Sequence, residues 1–420
     1  MNKSKRNKPI TKVKYSKIII NVLIGTWFLI PILFLRPIKK IYLAPLQTSR
    51  IGHFILDTEI LLARIHIDQV NKRNNILVIW IPESFICNQY VYNIWKQKIR
   101  IIPANVITSA IMQSAIYLEK IIKMRIIYRF IGWDGYLPYV HLLEFTPKVF
   151  SIPIEDEELC NKILQAEGVD TGKQWVCLLA RDNAYLNHVQ PNLTWDFNSY
   201  RNSDIDSFME AAEYLAGNDI LVFRMGAHVD KPFESKNTKY IIDYANASWR
   251  TEMLDIFLSI KCLFYISTAT GLDAVSYATR NPILTVNLAQ PLTGIYSKKN
   301  HLFIMKKFFS KESENFLTVA QYYELGVKGG FTVDNPRHFR TQDFARLGIE
   351  VIDNTASEIK DATKDMYEFI VLKKSQSDDL SPEQVSFWEK FPKVPGTDNS
   401  STYLSMICNK FIQENLWLLK

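Results

Sequence analysis

The sequence predicts an α/β protein made of two Rossmann-like halves. Short, continuously apolar runs such as Asn75–Ile81 and Trp175–Ala180 have the character of strands buried on both faces of a parallel sheet. Amphipathic helical stretches separate these runs, which is the order that parallel strands need. The stretch Tyr265–Asn287, YISTATGLDAVSYATRNPILTVN, reads as a whole unit: strand, Ser/Thr/Gly turn, helix, Arg-Asn-Pro turn, strand. Its loop, Ser267–Gly271, falls at the carboxyl end of a buried strand, where open α/β sheets take ligands. No acidic side chain precedes Asp273 there, so hydroxyls and amides ahead of a helix suit a phosphate; equally, Gly271 could serve only to turn strand into helix.

At 420 residues the chain has room for two or more domains of roughly 100–200 residues each. Its formal charge of +7 is uneven. Ten of the 50 Lys and Arg lie in residues 1–40 with no acid, leaving forty bases against forty-three acids in the rest. A slightly acidic body makes nucleic acid a poor partner. The five cysteines are widely spaced and offer neither a CxxC metal pair nor a disulfide framework; they fit buried thiols in a reducing compartment, and no metal site is expected.

Residues 1–40 form a basic head and an apolar run, Ile18–Leu35, flanked by bases. As an ideal helix the run reaches only about 27 Å, the short edge of a bilayer span. It is a membrane-contacting segment, either a single span or an interfacial helix held by the basic head; a buried core helix is the alternative. Lys39–Arg64 then begins the folded body, with a strand at Ile41–Leu43, a loop to Gly52 and a helical stripe from Phe54. Arg50 and His53 fall near that helix start. His53 is a general base or acceptor ligand, or else a polar residue satisfied within its loop. Asn75–Ile81 and Ile99–Pro103 supply further strands, and the Gly132–Tyr136 turn could line a cleft.

In the second half Trp175–Ala180 is a strand that ends in Arg181-Asp182-Asn183, a costly place for charges unless they face a site. Asp219–Phe223 ends in Arg224-Met225-Gly226, and Tyr240–Asp243 ends in an acid. If the sheet is parallel, Arg181, Arg224, Asp243 and Thr268–Gly271 share one edge. Asp204-Ile205-Asp206 spells DxD, but it opens a helix after Ser203, and Ser203-x-x-Asp206 has capping spacing. Lys374–Gly396 reads as a linker, and Tyr403–Leu419 as a closing amphipathic helix.

The combination Arg50-Ile51-Gly52-His53, Arg201-Asn202-Ser203 to Arg224-Met225-Gly226, Thr270-Gly271 to Asn281-Pro282, Val286-Asn287 and Gly348–Asn354 resembles a family of bacterial glycosyltransferases from surface-polysaccharide gene clusters. The resemblance implies the GT-B architecture: two Rossmann-like domains facing across a cleft, residues 41–168 for the acceptor and 169–373 for the donor, with 374–420 a linker and a helix crossing back. It implies a nucleoside-diphosphate sugar as donor, a glycan or lipid-linked glycan as acceptor, no cofactor and no metal. The donor residues would be Arg181, Asp182, Arg224, Gly226, Asp243, Thr268, Thr270 and Gly271, with His53, Asp57 and Arg181 catalytic. The place expected is the cytoplasm, at the inner face of the cell membrane. The rival is a non-catalytic sugar-nucleotide-binding or assembly subunit; transfer of another group, such as pyruvyl, also stays open. A Rossmann oxidoreductase is disfavoured because no strand-to-helix turn carries GxGxxG.

Overall fold

The computed structural model describes residues 12–72, 76–83, 85–123, 125–128, 141–289, 299–328, 331–332, 335–336, 339–372, 380–391 and 405–420. The Gly132–Tyr136 turn, residues 374–379 and 392–396 of the expected linker, and residues 1–11 lie outside them; between those two stretches Pro382–Lys390 is a helix with Phe387 in the core rather than a linker. The chain is α/β, and it divides into two compact units: Met1–Arg50 with Arg64–Arg129, and Ile51–Ala63 with Phe130–Lys420. The segment that carries His53 and Asp57 therefore belongs with the second half.

In the first unit, helix α1 (Lys12–Leu35) leads to strand β1 (Lys40–Leu46); helix α2 (Thr58–Lys72), which enters this unit at Arg64, leads to β2 (Ile76–Pro82), followed by α3 (Gln89–Lys98) and α4 (Val106–Ile122). Strands β1 and β2 pair in parallel, and single parallel bridges add Ile127 beside Leu43 and Ile101 beside Trp80. The expected Ile99–Pro103 strand is thus one bridge long, its ladder carried by Trp80 N to Arg100 O and Ile102 N to Trp80 O, both 2.9 Å. Asn105 starts α4: its side chain accepts from Thr108 N at 2.8 Å while the Thr108 hydroxyl accepts from Asn105 N at 2.8 Å. At the other end, the Glu119 carboxylate takes the amides of Ile126 and Ile127. Helix α1 lies directly on α4. A Cβ placed on Gly25 would come 2.1 Å from the Ala110 carbonyl oxygen, and the Ser114 hydroxyl donates to Val22 O at 2.8 Å. No helix among the described residues is long and apolar enough to cross a membrane.

The second unit is built on a seven-stranded sheet whose adjacent strands all run parallel. Its strands are β3 (Trp175–Leu179), β4 (Leu221–Arg224), β5 (Ile241–Ile242), β6 (Tyr265–Ser267), β7 (Ile283–Leu288), β8 (His301–Met305) and β9 (Met406–Ile407), in the spatial order β9-β8-β7-β6-β3-β4-β5. Helices α5 (Met209–Gly217), α6 (Glu252–Lys261), α7 (Ala274–Thr279) and α8 (Ala356–Ile370) are among those flanking it. Every residue of β7 and β8 is buried; β7 was expected over Ile283–Val286, whereas β8 was not foreseen.

The end of the chain departs from the single helix expected over Tyr403–Leu419. Met406 and Ile407 instead pair with Leu302 and Phe303, and a helix follows only at Asn409–Glu414. Covering the open edge of β8 satisfies backbone groups that would otherwise be left unpaired. Ser405 Oγ meets the buried His301 Nδ1 at 2.8 Å, and Cys408 N donates to Phe303 O at 3.0 Å. At the DxD site, Asp204 rather than Ser203 caps the turn, accepting from Asp206 N, and both aspartates reach Lys231 Nζ at 2.6 Å. Their charges are spent on a lysine. Replacing Gly25 by Val should lower the urea midpoint by about 1–3 kcal/mol worth of stability, because the added carbons press on the α4 backbone; an unchanged midpoint would mean that the two helices do not touch there.

Candidate functional site

Because the second unit's strands run parallel, all their carboxyl ends open on one edge, and the chain departs from β3, β4, β5, β6, β7 and β8 there. The loop after β6 is held by several side-chain bonds. The buried Asp273 Oδ2 accepts from the Ser267 hydroxyl at 2.7 Å and from Thr270 N at 3.0 Å. The Thr268 hydroxyl accepts from Arg181 N at 2.9 Å, which ties the loop to the end of β3. Arg201 Nη2 donates to Ala269 O at 2.9 Å. Ala269 is thereby held at φ 57°, a left-handed conformation that an alanine adopts only under such restraint.

These bonds change what the sequence offered as phosphate ligands. The Thr270 amide goes to Asp273, and the Ser267 and Thr268 hydroxyls are already engaged. The Thr270 hydroxyl oxygen, by contrast, is buried without a hydrogen-bond partner. Burial pushes the Asp273 carboxyl up to about 6, opposed by the Ser267 and Thr270 hydrogen bonds and by the Arg201 charge.

Arg181 and Asp182 stand at this edge, as expected. The Arg181 guanidinium Nη1 donates to Asn198 O at 3.3 Å and to the Asn202 side chain, which orients the fork. Asp182 accepts from Ala184 N at 2.9 Å and from Asp230 N at 3.1 Å, so it shapes the loops around it. Arg224 departs from the expectation of a charge aimed outward. It is 1% exposed, with Nη1 on Asp243 Oδ1 and Nη2 on Lys231 O, each at 3.2 Å. Asp243 also takes Phe233 N and the Asn246 amide. The reason is cost: a guanidinium at the end of an interior strand needs an internal counter-ion. Gly226 has φ 150°, and a Cβ there would meet Val229 Cγ1 at 2.6 Å, so its role on view is to let the backbone turn under a close neighbour.

Sequence reasoning had Arg201 only as part of a motif, with no role of its own, and missed Lys306. Lys306, just past β8, is 2% exposed, with Nζ 2.6 Å from both Asn202 O and Asp353 Oδ1. Burial lowers its pKa, and the charges of Arg181 and Arg201 lower it further. Three cations thus crowd one edge with Asp353 as the lysine's carboxylate partner. The signal was faint: Lys306 sits in a Lys-Lys pair after an apolar strand, and nothing in that pattern marks the first lysine as buried.

His53 and Asp57 form the π-helical turn that precedes α2. His53 Nδ1 and Asp57 Oδ2 are 2.9 Å apart; Asp57 is buried, while the histidine side chain is 26% exposed. In the tautomer that donates Nδ1–H to Asp57, Nε2 carries the lone pair, the arrangement of an oriented base. The turn rests on the β6 loop. A Cβ on Gly52 would lie 3.1 Å from Gly271 O, and one on Gly271 would lie 3.3 Å from Ile51 Cγ2. Both contacts are tighter than most that a Cβ makes, so a side chain at either position would have to displace its neighbour slightly. Behind them, Arg280 donates from Nη1 to Glu59 Oε1 at 2.6 Å, and Glu59 also receives Val149 N and Phe150 N.

The sequence matches no family model and no curated protein. Among solved structures, the chain is similar to E. coli ADP-heptose LPS heptosyltransferase II, at 8% identity over 63% of this chain and 90% of that one, with a TM-score of 0.43. It is also similar to a glycosyl transferase family 9 structure from Veillonella parvula (10% identity, 63% and 87% covered, TM-score 0.41) and to E. coli heptosyltransferase WaaC with ADP (12%, 69% and 98%, TM-score 0.31). Likenesses this distant carry no weight in assigning residues, which stand on the geometry above.

That geometry also explains two motifs. Asn287 and Asn354 exchange backbone and side-chain bonds, Asn287 N to Asn354 Oδ1 at 2.7 Å and Asn354 N to Asn287 Oδ1 at 2.6 Å, locking the ends of β7 and Ile349–Ile352 together. Asn281 donates to the Ser259 and Ile260 carbonyls, fixing the turn after α7 to the end of α6. Among the described residues, no group of three or more His, Cys, Asp or Glu could hold a metal ion.

Asp273 gives a test through pH. In the unfolded chain its carboxyl ionises near its ordinary value of 3.8, whereas the folded site keeps its proton to about 6. Its contribution to stability is therefore most favourable below 3.8 and declines as pH rises through that window. Against Asp273→Asn, the wild type should lose on the order of 3 kcal/mol of relative stability between pH 4 and pH 7 in urea titrations. A difference that stays flat with pH would contradict the buried placement.

Proposed function

We propose that the chain is a glycosyltransferase that moves a sugar from a nucleoside-diphosphate donor to a surface-glycan acceptor, free or lipid-linked, at the inner face of the cell membrane. One observation carries this reading: the Gly52–Gly271 contact sets an oriented His–Asp pair beside a strand-end loop backed by three cations. An acceptor hydroxyl gives its proton to His53 Nε2 as its oxygen bonds to the anomeric carbon, and Asp57 stabilises the imidazolium that results. The bond from that carbon to the diphosphate breaks, leaving the electron pair on the departing phosphate.

Arg181 is the group assigned to meet that charge, with Arg201 and Lys306 contributing through the field of the edge. Charge neutralised by fixed cations requires no metal ion, and metal independence is part of the proposal. Thr270, through its unpartnered hydroxyl, and Gly271, through its backbone, line the same loop. Thr268, Asp182, Gly226, Arg224 and Asp243 then act as supports, since their polar atoms or backbone are committed within the protein.

Two substitutions separate the roles. His53→Ala should lower kcat at least about 100-fold with donor affinity unchanged, whereas Arg181→Ala should weaken donor binding about tenfold, as read by calorimetry and product assay with UDP-, GDP-, ADP- and CMP-sugars. Wild-type turnover in His53→Ala would remove the base. Donor binding with neither transfer nor hydrolysis in the wild type would mark a non-catalytic sugar-nucleotide-binding subunit.

A further inference from the structure

The first unit carries a surface that the transferase reading does not use. Along α1, Leu23, Trp27 and Phe34 recur on one stripe at 67%, 74% and 79% exposure, and Ile38 follows at 83%. The opposite stripe, with Gly25 and the fully buried Leu29, rests on α4. At 100° per residue Ala110 and Ser114 of α4, which α1 covers, lie on the same stripe as Val106 and Ile121, which are 77% and 73% exposed. Helix α1 therefore lies along the middle of an apolar stripe on α4. The two ends of that stripe and the outer face of α1 turn to solvent on the same side.

An apolar patch of this extent is unusual on a protein surrounded only by water. What covers it is indicated by charge. Residues 1–40 contain ten Lys and Arg and no acid. Where α1 and α4 end stand Lys39, Lys120, Lys123 and Arg125, and Arg36 donates to the Arg125 carbonyl oxygen at 2.5 Å. The nearby acid, Glu119, has its carboxylate on two backbone amides. Large apolar side chains next to a group of bases match a bilayer surface with anionic headgroups, where the side chains enter the acyl boundary and the bases stay among the phosphates. A protein partner would have to supply both an apolar face and a cluster of acids.

We propose that α1 and α4 together form a two-helix platform that lies in the surface of an anionic bilayer without crossing it. This is the contact on which the membrane location proposed above rests, and it is independent of any donor or acceptor.

Flotation of the full chain with phosphatidylglycerol/phosphatidylcholine vesicles and with pure phosphatidylcholine vesicles tests it, and because no sugar nucleotide is used, its failure is distinct from failure of the transferase reading. Binding is expected to the anionic vesicles, to fall with salt, and to be reversed by carbonate at pH 11. Val106→Glu/Ile121→Glu, with α1 untouched, should weaken it at least about tenfold. Glutamate at Val106 falls in the first turn of α4, where an acid favours the helix, and an unchanged thermal midpoint would confirm folding. Wild-type binding by that variant would overturn the platform and leave α1 alone as the anchor. Retention after carbonate would overturn the interfacial placement. No binding, or a chain that dimerises through the patch in solution, would overturn the lipid assignment altogether.

Discussion

The candidate site depends on a carboxylate that has no access to water. Glu59, 1% exposed, is held by the Arg280 guanidinium and by two successive backbone amides, Val149 and Phe150. Breaking such a pair on one side leaves a buried charge uncompensated, at a cost of about 3–5 kcal/mol, so the arrangement is retained as a whole or lost as a whole. Arg280 also donates to the Leu143 carbonyl and adopts a left-handed backbone at the end of α7. Through this residue pair the segment 51–63 is fastened to the βαβ unit, and Gly52 is brought against Gly271. The base and the strand-end loop are positioned by one electrostatic clamp.

The second constraint is the distribution of charge along the sheet edge. Arg224 reaches the edge but is neutralised inside the fold by Asp243, whereas burial and then the charges of Arg181 and Arg201 lower the proton affinity of Lys306. A cluster of that kind is stabilised by an anion and strained without one. The fold tolerates it because the lysine has Asp353 and the Asn202 carbonyl, and because Arg201 is bonded to the Ala269 carbonyl. The same bonds that relieve the cations hold the loop at an unfavourable φ. Strain and charge are concentrated where a ligand would meet them.

Much of the fold was legible because buried parallel strands leave a plain trace. The β3, β6 and β7 runs could be read within a residue or two, as could the polar loop after β6. What the sequence could not reveal was which of its polar groups would be used up internally. Arg181 and Arg224 look alike as arginines after apolar strands, yet only the second meets an aspartate nineteen residues on. Lys306 escaped notice because burial of a lysine is decided by Asn202 and Asp353, both distant in sequence. The terminal strand Met406–Ile407 was hidden for a related reason: two residues pairing with an edge have no periodicity, and the helical pattern around them dominates. His53 and Asp57 lie four residues apart, one helical turn, but the π-helical turn that carries them and its closeness to Gly271 involve contacts over two hundred residues apart that the spacing does not reveal.

The proposed transfer requires a nucleoside diphosphate to seat at the edge formed by the ends of β3 and β6, beside the His53 turn. Amide hydrogen exchange followed by mass spectrometry, with UDP, GDP, CDP and ADP added in turn, reads this directly. One of these nucleotides is expected to slow exchange in peptides spanning 181–184 and 268–274. No slowing there with any of the four, or slowing confined to peptides remote from this edge, would contradict the account.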